Sequence, residues 1–68
     1  MEKTFNTKYG EVSLRGAMID TNGTDLVDGI EVKIDGEFIG EILNETFNQV
    51  EDFTEKEVEE FLLLHSII

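Results

Sequence analysis

The residues of this chain best suited to chemistry are carboxylates. Glu55 and Glu59 stand four apart, Glu57 and Glu60 stand three apart, and Glu51 and Asp52 lead into them. Four residues of helix rise roughly 6 Å, a step comparable with the spacing of phosphates along a nucleic-acid strand. Such a row suits a basic groove that would otherwise hold nucleic acid. A local explanation competes with it: acids near a helix N-terminus are favoured by the macrodipole, and high net charge keeps a small protein soluble. Glu37, Glu41 and Glu45 extend the acidic set well before the helix with almost no base between them, which capping does not account for.

Other chemistries have little to work with. Cysteine is absent, which excludes disulfides and thiolate metal sites. A single histidine, His65, excludes a zinc site built from imidazoles. The serines Ser13 and Ser66 have no plausible base, and the glycines are dispersed, not gathered into a phosphate loop. A glycosidase-like carboxylate pair needs a cleft that excludes water, and a domain this small rarely has room for one. The expectation is a protein without enzymatic activity, metal or cofactor. Asp20, Asn22, Thr24 and Glu31 fall at positions 1, 3, 5 and 12 of a calcium loop. Asp25 stands where that loop needs glycine, so an ordinary Asx/Gly turn is favoured. His65 lies among apolar residues and reads as a packed histidine bonded to backbone.

The elements that must position these residues follow from patterning. Strands are expected over about 3–7, 11–19, 30–33 and 37–43. Val12, Leu14, Gly16 and Met18 alternate with Glu11, Ser13, Arg15 and Ala17, the period of a sheet with one wet face. Asp20–Asp28 reads as a polar loop. Ile34-Asp35-Gly36 marks a hairpin. A two-residue turn would pair Ile34 with Glu37; a three-residue loop pairs Lys33 with Glu37 and Val32 with Phe38. The longer loop is preferred because it keeps Ile30, Val32, Phe38 and Ile42 on one face. It leaves Ile39 and Leu43 on the other.

Thr54-Glu55-Lys56-Glu57 is a capping box, with Phe53 and Val58 spaced as a hydrophobic staple. It predicts a helix over about 55–65. At 100° per residue Val58, Phe61, Leu62, His65 and Ile68 share a face, with Leu64 on its edge and Leu63 and Ile67 on the back. The segment Asn44–Val50 is open between a short helix, a strand and a packed loop. The fold class is α+β: a small antiparallel sheet of three to four strands with one C-terminal helix on one face.

Sixty-eight residues make one domain with a thin stability margin. Sixteen acids against five bases give a net charge of −11. The imbalance is concentrated in residues 35–68, which hold ten acids and one base, Lys56. Such a field repels nucleic acid and anionic lipid and attracts basic surfaces. Met1-Glu2-Lys3-Thr4 has no leader-like apolar run, and a cytoplasmic protein is expected. Small, cysteine-free, acidic and without a catalytic motif, the chain is similar in general character to inhibitors that phages and mobile elements direct against host nucleic-acid machinery. No motif carries that likeness.

Two functions follow as expectations. One is an acidic binding module or nucleic-acid mimic, with Glu37, Glu41, Glu51, Asp52, Glu55, Glu59 and Glu60 facing a basic, nucleic-acid-binding partner protein. The other is a homodimer joined through Leu63 and Ile67, whose charge serves solubility.

Overall fold

The computed structural model describes residues 1–23 and 25–68. In chain order the elements are β1 (Glu2–Thr7), β2 (Gly10–Thr21), β3 (Asp25–Ile34), β4 (Glu37–Leu43), α1 (Phe47–Val50) and α2 (Glu55–Leu64). The strands form one antiparallel sheet in the order β1-β2-β3-β4. The α+β class expected from the sequence is the one observed, with the C-terminal helix packed on the sheet.

Alternation decides which face is covered. Val12 and Leu14 of β2, Ile30 and Val32 of β3, and Ile42 of β4 share one face with Phe5 of β1. Val50, Val58, Phe61 and Leu62 from the helices close over them to form the core. The intervening residues Thr4, Ser13, Arg15, Glu31 and Glu41 occupy the opposite face, which no helix covers. Gly16 lets α1 approach: a Cβ there would lie 2.9 Å from Phe47 Cβ.

Three expectations need correction. The polar segment Asp20–Asp28 is mostly ladder, with Ile19 opposite Val27, Asp20 opposite Leu26 and Thr21 opposite Asp25. Backbone pairing carries the strands past the point where apolar alternation fades. On the open face Ile19 is buried against Gly29, where an added Cβ would come within 2.1 Å of Ile19 Cδ1.

The hairpin between β3 and β4 uses the two-residue turn, not the three-residue loop. Asp35 (φ 52°) and Gly36 (φ 85°) both take the positive φ such a turn requires. Ile34 pairs with Glu37 and Lys33 with Phe38, so the expected Lys33–Glu37 pair does not form. A bulge then shifts the register, and Val32 meets Gly40 while Ile30 meets Ile42. Ile42 thus returns to the core face. Phe38 does not, and is 54% exposed.

Asn44–Val50, left open by the sequence, contains the single turn α1. Thr46 precedes it and donates its backbone N–H to Gln49 Oε1 at 2.7 Å.

At the other end α2 stops at Leu64, and Ser66 (φ 58°) turns the chain back. Ser66 N–H donates to Leu63 O and Ile67 N–H to Leu62 O, the paired bonds of a Schellman cap. Ile67, expected on the exposed back of the helix, is folded inward against the core, close to Gly40 of β4. Helical periodicity cannot be continued beyond a left-handed residue, and that is why the projection failed there.

Candidate functional site

The acidic residues singled out by spacing do not share one surface. β1 is an edge strand, and beyond its bonds to β2 the N–H groups of Asn6 and Lys8 point outward. Asn6 donates to Glu55 Oε2 at 3.2 Å and Lys8 to Glu59 Oε2 at 2.7 Å. The geometry is a match of two repeats. Four residues along a helix advance about 6 Å, and two along a strand about 6.6 Å. Glu55 and Glu59 are therefore edge caps of the sheet, and this pair of the row expected to imitate phosphates is directed at β1.

Other carboxylates are also in local use. Glu57 Oε1 accepts from Thr54 N–H at 2.8 Å while Thr54 Oγ1 accepts from Glu57 N–H, which completes the predicted capping box. Asp35 Oδ1 accepts from Glu11 N–H at 2.9 Å and ties the tip of one hairpin to the start of β2. Asp20 Oδ1 accepts from Gly23 N–H, three residues on, at 2.8 Å and closes the turn after β2. Glu31 lies on β3 and meets Arg15 at 3.2 Å. Of the calcium-loop pattern, Asp20 and Glu31 are thus otherwise engaged, and Thr24 lies outside the described residues.

His65 caps the C-terminus of α2, with Nε2 3.8 Å from Glu45 Oε1 and its ring edge-on to Phe61 at 4.7 Å. Its backbone N–H is bonded to Phe61 O, but among the described residues its side chain is not bonded to backbone as the sequence reading had it.

Five of the expected site residues have no hydrogen bond or ion pair to their carboxylates among the described residues: Glu37, Glu41, Glu51, Asp52 and Glu60. Glu51 and Asp52 occupy the turn between the helices, and Glu60 lies on α2. Glu41 is elsewhere, opposite Glu31 on the uncovered sheet face. Glu37 sits at the hairpin end beside Ile34. The expected surface is split between two sides of the sheet, because Glu41 and the helical acids are separated by the sheet itself.

A feature the sequence reading missed lies on the helix side. Phe53, Glu57, Glu60, Phe61 and Leu64 line an open concavity of about 370 Å³. Phe53 and Phe61 meet edge to face, centroids 5.4 Å apart at 74°. The signal was present: these residues recur at helical spacing as one stripe. Each had been given a separate role as staple, cap, core residue or, for Glu60, part of the acidic face. A second concavity of about 290 Å³, at Gly16, Met18, Asp28 and Phe47, is mostly apolar.

The bases do little to offset the charge. Lys3 Nζ donates to the backbone carbonyl of Glu51 at 2.7 Å and lies 5.2 Å from the centroid of Phe5. Lys8 Nζ lies over Tyr9. Among the described residues Arg15 is the one Lys or Arg that meets a carboxylate. Among the same residues no cluster of three His, Asp or Glu is arranged to hold a metal ion, and no helix is long and apolar enough to cross a membrane. No family model, curated protein or solved structure matches this chain.

β4, the other edge, has no such cover. Asn44 N–H bonds Asp28 O, which sets the phase of the ladder and leaves the N–H groups of Glu41 and Leu43 facing away from β3. No side chain bonds them among the described residues.

Proposed function

We propose that this chain is a non-enzymatic, acidic protein-binding module that docks on a basic surface of another protein, of the kind that otherwise holds nucleic acid. The observation that carries the reading is uncompensated charge: of the five bases only Arg15 meets a carboxylate among the described residues. The docking surface of this reading is the helix side, where Glu51 and Asp52 stand in the turn before α2 and Glu60 lies one helical turn from exposed Leu63 and Leu64. Charge steers the encounter and apolar contact holds it.

A literal phosphate ladder is not part of the proposal, because Glu55 and Glu59 close the β1 edge. Occupying a nucleic-acid-binding surface would make the protein an inhibitor of its partner, and the proposal places both in the cytoplasm. Nucleic acid and anionic membranes are repelled and are not its direct ligands.

The test is capture from a cell lysate at low salt. Captured proteins should be released by a salt step and displaced by added nucleic acid. The double variant D52N/E60Q, in which neither side chain has an internal bond to lose among the described residues, should capture less at unchanged stability. Capture indifferent to salt, to nucleic acid or to the variant would remove the reading.

One observation favours a second reading, self-association. Leu63 is 52% exposed, Leu64 77% and Ile68 47%, grouped at the end of α2. Ile67 has no part in that surface, because it faces the core.

A further inference from the structure

We infer that the concavity between Phe53 and Leu64 receives one arginine side chain of the basic partner. The inference rests on the protein-binding reading above and names the chemistry that partner must bring to this place.

The lining decides the class of ligand. Its polar side chains are Glu57 and Glu60, and no side chain in it donates a hydrogen bond. Glu57 commits Oε1 to Thr54 N–H and has Oε2 to spare, while Glu60 carries no internal bond among the described residues. A ligand that presents carbonyl, carboxylate or phosphate oxygen finds only acceptors and like charge. A cation with several N–H groups finds complementary partners.

The aromatic floor narrows the cation. Phe61 is in T-shaped contact with both Phe53 and His65, whereas Phe53 has Phe61 as its one aromatic neighbour among the described residues. Phe53 is only partly buried and therefore has ring surface to offer. A guanidinium is planar, weakly hydrated and stacks on such a surface while its N–H fork reaches carboxylates. A lysine ammonium is a compact, strongly hydrated point charge and would use the ring less well. The arginine's methylene stem would lie along exposed Leu64. Lys56, four residues before Glu60 on α2, does not fill the place: it makes no ion pair with Glu60 among the described residues.

The test is a nuclear magnetic resonance titration of the labelled protein with three acetylated, amidated tripeptides, Gly-X-Gly, in which X is arginine, lysine or citrulline. Citrulline keeps the shape of arginine and removes its charge. The arginine peptide should shift the ring resonances of Phe53 and Phe61 and the carboxylates of Glu57 and Glu60. Lysine should bind more weakly at the same residues, and citrulline should shift none of them.

Phe53→Leu, which retains apolar bulk, should weaken the arginine peptide by about two- to fivefold, the range of an exposed cation–π contact. Should that variant not fold, Glu60→Gln serves instead, since its side chain has no internal bond to lose, and its affinity must also fall. Equal response to arginine and citrulline, shifts centred on Glu31 and Glu41, or full affinity in the folded variant would each overturn the inference. Salt-sensitive capture of a lysate protein by Phe53→Leu at the wild-type level would remove the arginine site and leave the docking reading standing. Intact arginine-peptide shifts without any capture would do the reverse.

Discussion

Lys8 donates its backbone N–H to Glu59 Oε2 at 2.7 Å, across 51 residues of chain. One rung along, Asn6 does the same with Glu55. These bonds convert two helical acids from a surface ornament into part of the tertiary structure, because they fix α2 alongside the edge of β1. Charge-assisted bonds of this kind are stronger than neutral ones, though exposure to water reduces what they contribute.

Glu59→Ala should therefore destabilise the domain by about 1 kcal/mol, while Glu60→Ala, one residue on and without an internal bond, should change stability by less than about 0.5 kcal/mol. Urea denaturation of the two variants separates them. Equal midpoints would show that the edge bonds contribute nothing measurable.

The seat of Ile19 on Gly29 makes a second prediction. Gly29→Ala places a methyl carbon within 2.1 Å of Ile19 Cδ1 and should cost about 1–3 kcal/mol by overpacking. Ile19→Val removes that terminal carbon, so the double variant should be more stable than the sum of the single changes implies, by at least about 0.5 kcal/mol. Strict additivity in a double-mutant cycle would contradict the contact.

Ser66 holds φ at 58° to close the cap of α2, a conformation glycine adopts without the steric cost of a Cβ. Ser66→Gly should stabilise by about 0.5 kcal/mol, the relief of strain being partly offset by the greater freedom of glycine in the unfolded chain. A thermal midpoint that falls would mean the serine side chain does something the backbone geometry does not reveal.

Self-association has its own discriminator. Replacing Leu63 and Leu64 with serine removes two exposed leucines and leaves the buried face of α2 intact. If the protein dimerises through this surface, light scattering should give a doubled mass for the parent chain and the monomer mass for the variant. A monomer mass for the parent at every concentration rejects the dimer.

How much of this could be read in advance depends on the range of the interaction. The capping box of Thr54 and Glu57 is complete within four residues, and it placed the start of α2 correctly. The alternation through Val12 and Leu14 likewise identified the buried face of β2. Spacing also showed Glu55 and Glu59 to be one row, but nothing local told which way the row points. Their partners lie about fifty residues earlier, on a strand whose edge exists only once the sheet has formed.

The hairpin at Asp35 shows a different limit. The requirement that Ile42 face the core was sound, yet the chain meets it with a tight turn and a bulge in place of a longer loop. Facing constrains the outcome and leaves the device open. The stripe from Phe53 to Leu64 was visible as periodicity, but core and surface members of one stripe are told apart only by what packs over them.

The two margins of the sheet are unequal: carboxylates hold the N–H groups of Asn6 and Lys8 at one, and those of Glu41 and Leu43 are bare at the other among the described residues. Exposed strand margins are where folded proteins add further strands and begin to stack into fibres. Endless growth of that sort needs both margins free. Here a second molecule joining at β4 would present to solvent a β1 whose Asn6 and Lys8 N–H groups are already taken by carboxylates, which disfavours running on as a filament.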